Sequence, residues 1–108
     1  MHSTSSLRPD SEEIEQFVHR AVEREEITQF SIGCSSDLVD AHDDQACDFI
    51  VSLCVTDNPE HATSFEGELL QAFSAHPKFR NWQVTRHRGS RPAPRYVCLA
   101  LWKLRSHH

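Results

Sequence analysis

The strongest constraint on the fold is the run RYVCLALWKL at residues 95–104, which is apolar on both faces that a strand would present. Side chains of a β-strand alternate between two faces, so a run without a polar face indicates a central strand. DFIVSLCVT, at residues 48–56, has the same character. Two shorter runs, TQFSIGC at 28–34 and NWQVTR at 81–86, each have one polar face and predict edge strands.

Two further segments predict amphipathic helices that would pack on this sheet. The first covers residues 9–25 and the second covers 56–77, where Asn58 suits the N-cap and Pro59 the first helical position. Apolar residues recur in both at helical spacing. The stripe of the first helix is Ile14, Phe17, Val18, Ala21 and Val22, and that of the second is Phe65, Leu69, Ala72 and Phe73.

The elements follow the order helix, strand, strand, helix, strand, strand, which divides the chain into αββ halves at residues 10–56 and 57–105. Matching apolar stripes are consistent with an internal duplication and equally with shared secondary structure alone. At this length we expect a single α+β domain over residues 10–105. A flexible leader at 1–9 and a flexible tail at 106–108 would flank it.

These strand assignments predict a two-layer αββαββ sandwich. Its four-stranded antiparallel sheet would have the order 1-2-4-3, with both helices on one face. A circularly permuted ferredoxin-like fold has this layout. The likeness is one of architecture, and such a fold says little about function.

The charges are separated along the chain, which has 11 Lys and Arg, 16 Asp and Glu and a net charge of -5. The acidic stretch SSDLVDAHDDQACDF would form the turn of the first hairpin and the basic stretch TRHRGSRPAPR that of the second. Each turn is a candidate for binding a partner. The acidic candidates are Asp37, Asp40, Asp43 and Asp44, and the basic candidates are Arg86, His87, Arg88, Arg91 and Arg95.

Two patterns raise the question of chemistry. The acidic stretch gathers side chains that could be ligands of a divalent cation, but its spacing fits no EF-hand and favours a solvated turn. These side chains are Asp40, His42, Asp43, Asp44 and Cys47. His87 and Cys98 are the types that nucleophilic catalysis uses, yet no motif brings them together. We therefore predict no catalytic, metal or cofactor residues.

The cysteines are expected to be reduced, buried thiols, because none of the four belongs to a CxxC pair and three lie in apolar, strand-like runs. They are Cys34, Cys47, Cys54 and Cys98.

With both helices on one face of the sheet, the other face would be apolar and bare. Its residues on the last strand are Tyr96, Cys98, Ala100 and Trp102. Monomers rarely leave such a patch in water, so a second copy of the chain would cover it and form a homodimer. The alternative is that the faces are assigned wrongly and that these residues belong to the core.

The function that this sequence favours is non-enzymatic binding to another protein, as a regulator, inhibitor or assembly adaptor that forms a homodimer. The alternative is a nucleic-acid-binding module that uses the basic hairpin at residues 86–95. No apolar run approaches the roughly 20 residues of a membrane helix. The first residues lack the apolar segment of a secretory signal, so we expect a cytoplasmic protein.

Overall fold

The computed structural model of the chain describes residues 11–83 and 95–104, which form an α+β fold with three helices and a three-stranded sheet. No helix in these two ranges is long and apolar enough to cross a membrane. The elements are α1 (Ser11–Val22), β1 (Ile27–Ser35), α2 (Leu38–Gln45), β2 (Phe49–Thr56), α3 (Pro59–Phe73) and β3 (Arg95–Lys103).

The sheet has the order β1-β3-β2, and β3 is antiparallel to both of its neighbours. The prediction of a central strand is confirmed at residues 95–104 and is wrong at residues 48–56, because β2 lies at the edge of the sheet. The four-stranded sheet of order 1-2-4-3, the two-helix layer and the permuted ferredoxin-like layout are wrong. Since β1 and β2 both oppose β3, they are parallel to each other and cannot form a hairpin.

The acidic stretch is a helix, α2, and not a hairpin turn. The Asp37 carboxylate accepts hydrogen bonds from the backbone N–H groups of Val39 at 2.8 Å and Asp40 at 3.1 Å, which caps the helix. Ala41 and Gln45, one turn apart, are buried. Parallel strands need a crossover connection, and α2 supplies it between β1 and β2.

The main core lies between the sheet and the two longer helices. Phe30 of β1 is fully buried, and its ring meets those of Phe73 and Phe79 edge-on at centroid distances of 6.1 and 5.6 Å. The predicted stripe of α3 is confirmed except at Ala72, which is exposed, whereas Ala62 is buried. The principal core residues are Val18, Val22, Phe30, Ile32, Phe65, Leu69, Phe73, Val97 and Leu99.

The opposite face of the sheet is covered by α2 and by the segment that follows α3. The predicted strand at 81–86 does not form at residues 81–83, and the rest of it lies outside the described residues. Trp82 lies so close to Gly33 that a Cβ there would overlap its indole ring. Gln45 Nε2 donates to the Gln83 carbonyl oxygen, and the Gln83 N–H donates to Gln45 Oε1, both at 2.9 Å.

The same segment closes the outer edge of β1. The Phe30 N–H donates to the Lys78 carbonyl oxygen at 3.0 Å, and the Arg80 N–H donates to the Phe30 carbonyl oxygen at 2.8 Å. These bonds form a parallel bridge between Phe30 and Phe79. At the other side of the sheet, no residue in the described ranges pairs with the outer edge of β2.

Candidate functional site

The predicted acidic candidates all lie on or next to α2. Asp37 is engaged as its N-cap, and Asp40, Asp43 and Asp44 are exposed on the helix surface. Among the residues that the structure describes, no three acidic, histidine or cysteine side chains are grouped as metal ligands would be. The acidic surface of α2 therefore stays a predicted contact surface for a partner.

Four of the five basic candidates, Arg86, His87, Arg88 and Arg91, lie outside the described residues. Arg95 is half-buried at the start of β3, opposite Thr56 of β2. Their role in binding a partner stays a prediction.

The predicted dimer face is largely enclosed within the chain itself. Cys98 and Ala100 have no exposed surface, and Tyr96 is half-buried. Trp102 donates from Nε1 to the carbonyl oxygen of Ala46 at 3.0 Å. The expectation of a bare face is wrong because α2 covers it, and the alternative, that these residues belong to the core, holds for Cys98 and Ala100.

All four cysteines are free, and two of them have strongly shifted acidity. Burial raises the pKa of Cys98 to about 12. Burial, together with the nearby Glu66 carboxylate, raises that of Cys34 to about 12 as well. Because the thiolate is the reactive form, neither sulfur is prepared for nucleophilic attack at neutral pH.

The candidate site of the molecule is the outer edge of β2. Its sequence FIVSLCVT contains no charge and no proline, two of the features that usually protect a strand edge from pairing, and its pairing with β3 shifts register between Ser52 and Cys54. Phe49 at its start is 47% exposed and Val55 near its end is 56% exposed. Within the described ranges no further strand pairs with this edge, and the apolar side chains of Phe49 and Val55 lie in solvent.

A groove of about 1150 Å³ runs beside the first half of this strand, between β2 and the second half of α1. Phe17 projects toward it from α1 and is 41% exposed. The end of β3 forms the floor of the groove. The apolar lining consists of Phe17, Ala21, Ile27, Phe49, Ile50, Val51 and Leu101.

Charged side chains of both signs line the groove. Arg24 forms an ion pair with Glu26 at 2.7 Å, and the Lys103 ammonium lies 5.9 Å from the ring centroid of Phe49. The pKa of Glu26 is lowered by a hydrogen bond from its own backbone N–H and then by Arg24. Arg20 also lines the groove and makes no ion pair within the described ranges.

Sequence reasoning missed this site because it assigned Phe17 to the buried stripe of the first helix. The residues at the spacing 17, 20, 21 and 24 share one helix face, and they alternate apolar and basic side chains. An aromatic and two arginines on one face indicate a stripe that is only partly covered. This pattern of side chains is visible in the sequence, whereas the exposure of the outer edge of β2 depends on the strand order.

Comparison with known proteins leaves the site to be interpreted from its own geometry. The sequence matches no protein-family model, and no match was found among curated proteins or solved structures.

Proposed function

We propose that this protein binds an extended segment of another protein, which adds to the outer edge of β2 as a further strand. The observation that carries the proposal is the uncharged edge of β2 beside an apolar groove, with Phe17 and Phe49 exposed in it. In strand addition, main-chain hydrogen bonds supply affinity and pockets for alternate side chains supply specificity. A regulator, an inhibitor or an assembly adaptor would each use such an edge.

The charges at the ends of β2 favour a different chain over a second copy of this one. If two β2 strands paired antiparallel about their centre, Asp48 of each copy would lie opposite Asp57 of the other. Like charges directly opposite each other destabilise a strand pair. A homodimer through the face of Trp102 would instead require α2 to leave the sheet. We therefore favour a heterologous segment as the occupant.

Nucleic-acid binding receives less support from the described residues. The arginines between residues 86 and 91, on which that alternative depends, lie outside them. The net charge of -5 opposes the approach of a polyanion.

The experiment is a selection of random twelve-residue peptides displayed against the immobilised full chain. We expect enriched peptides to alternate apolar residues and to bind in the micromolar range, about 8 kcal/mol of binding free energy. Hydrogen exchange of the complex should then show new amide protection in residues 49–56.

Variants that place charged side chains on the β2 edge test the proposal. Combining Phe49→Asp with Val55→Lys should weaken binding of the selected peptides at least about tenfold, because charged side chains on an edge disfavour strand pairing. Val39→Lys is the control, since Val39 is 70% exposed on α2 and does not line the groove. A selection without enrichment, or protection that appears away from β2, would overturn the proposal.

A further inference from the structure

The groove beside β2 gathers basic side chains in a part of the chain that is otherwise acidic. The described ranges contain fifteen Asp and Glu residues and only six Lys and Arg. Three of those six cations, Arg20, Arg24 and Lys103, line this groove. The other three are Lys78, Arg80 and Arg95.

Two of the three cations outside the groove, Lys78 and Arg80, have structural partners. The Lys78 ammonium donates to the carbonyl oxygens of Val22 at 2.6 Å and Arg24 at 3.2 Å, at the end of α1. The guanidinium of Arg80 lies 4.3 Å from the ring centroid of Trp102. These contacts account for the positions of the Lys78 and Arg80 side chains without a ligand.

The cations of the groove are less fully matched. Glu26 pairs with Arg24, and the Asp48 carboxylate accepts the backbone N–H of Lys103 at 2.8 Å. Arg20 has no ion pair within the described ranges, and the Lys103 ammonium lies over an exposed aromatic ring. The groove thus has three cationic and two anionic groups around an apolar floor.

We infer that the segment bound at β2 is an acidic one, whose carboxylate side chains meet Arg20 and Lys103 while its apolar side chains enter the groove. This inference rests on the strand addition proposed above. An extended chain along β2 turns alternate side chains toward the groove, so carboxylates near its apolar residues reach the basic rim. The rim charges would select such segments and speed their encounter, because complementary charge acts on specificity and association rate.

The test compares two variants of the full chain that change the net charge equally. Arg20→Gln combined with Lys103→Gln removes two cations from the groove. Thr63→Glu combined with Gln71→Glu adds two anions on exposed positions of α3, away from the groove. The probes are the peptides selected on the unmodified chain and the same peptides with each Asp and Glu replaced by Asn and Gln.

We expect Asp and Glu to be enriched among the selected peptides. The groove variant should weaken their binding about 3- to 30-fold, which corresponds to two charge pairs at the rim, and the α3 variant by less than about twofold. The amide-substituted peptides should bind the groove variant and the unmodified chain equally.

The two ideas fail in different ways. Peptides that protect β2 but show no enrichment of acidic residues, or that bind the groove variant unchanged, overturn the acidic specificity and leave strand addition standing. An equal loss in the groove and α3 variants also overturns it, since net charge alone would then explain the effect. If no peptide protects residues 49–56, strand addition fails and the acidic specificity fails with it.

Discussion

At the β1 edge of the sheet, the chain that leaves α3 returns and pairs with the strand, whereas at the β2 edge no described residue does so. The bridge from Phe79 to Phe30 closes the β1 edge. Beyond it, Trp82 lies on Gly33 and continues the cover onto the α2 face. At the β2 edge, the corresponding positions hold exposed apolar side chains and a groove.

The two strands also differ in composition. The exposed residues of β1 include Thr28 and Gln29, and both make polar contacts: Thr28 Oγ1 donates to the carbonyl oxygen of Trp102 at 3.2 Å, and Gln29 Oε1 accepts from Arg80 at 3.0 Å. β2 exposes Phe49 and Val55 instead. The β1 edge is therefore built for contacts within the chain, so changes there should reduce stability, and changes at the β2 edge should reduce binding.

The largest effect is expected from Gly33→Ala on β1. The new Cβ would overlap the Trp82 ring, so the indole or the strand must move. Overpacking of this kind costs about 1–3 kcal/mol, and urea unfolding should show a free energy of unfolding that is lower by that amount.

Two further variants make this test specific to the contact between Gly33 and Trp82. In a Trp82→Ala background the same Gly33→Ala change should cost much less, because the obstructing ring is gone. Gly67→Ala is the control: a Cβ at Gly67 meets nothing within 4 Å, so the change should stabilise α3 by about 0.5–1 kcal/mol. Equal costs of Gly33→Ala in both backgrounds would show that Trp82 does not cover β1.

A smaller loss is expected from Gln45→Ala. The Gln45 side chain is 3% exposed and makes two hydrogen bonds to the backbone of Gln83. Its removal leaves two polar groups without their partner, which costs about 1–2 kcal/mol. Gln71→Ala, at an exposed position on α3, is the control and should change thermal stability little. An unchanged melting temperature for Gln45→Ala would contradict the docking of this segment on α2.

The sequence was sufficient for the elements with strong patterns. Asn58, Pro59 and the spacing of Phe65 and Leu69 predicted α3, and the run at 95–104 predicted a central strand. These signals are local, since capping and periodic burial act within one element.

The strand order and the site depended on non-local contacts. An eight-residue helix such as α2 has weak periodicity, and its acidic residues resemble those of a solvated turn. Once it was taken as a turn, β1 and β2 had to be paired as a hairpin. The run at 81–86 alternates as a strand does, yet Trp82 packs on Gly33 of β1, a contact about 50 residues away along the chain. Because α2 connects β1 to β2 and residues 81–83 form no strand, β2 lies at the edge of the sheet.

A pH-dependent effect is expected at Glu66, beneath the end of β1. Burial raises the pKa of this carboxyl, while the Cys34 Sγ donates a hydrogen bond to it at 3.5 Å and lowers the pKa in part. Because the folded state then holds the proton more tightly than the unfolded state, ionised Glu66 destabilises the fold at neutral pH and the penalty disappears as the pH falls. Glu66→Gln should therefore stabilise the protein at pH 7, by less than about 1 kcal/mol because the site is half-exposed. Below about pH 4 the substitution should give no stabilisation. Urea unfolding at both pH values measures the effect. Glu68→Gln is the control for the loss of one charge from α3. A Glu66→Gln variant that is less stable than the unmodified chain at pH 7 would contradict the expectation.

The smallest effect on stability is expected at the β2 edge itself. Val55 is 56% exposed, and its one strand partner within residues 11–83 and 95–104 is Tyr96 of β3. Val55→Lys should change the free energy of unfolding by no more than about 0.5 kcal/mol, the usual range for a surface substitution. Val39→Lys on α2 gives the matching value for another exposed valine, at 70% exposure. Thermal unfolding of both variants should superimpose on that of the unmodified chain, even though Val55→Lys disfavours strand addition. A loss above about 1 kcal/mol at Val55 alone would mean that the chain covers its own β2 edge, and the difference between the two edges on which the binding proposal rests would no longer hold.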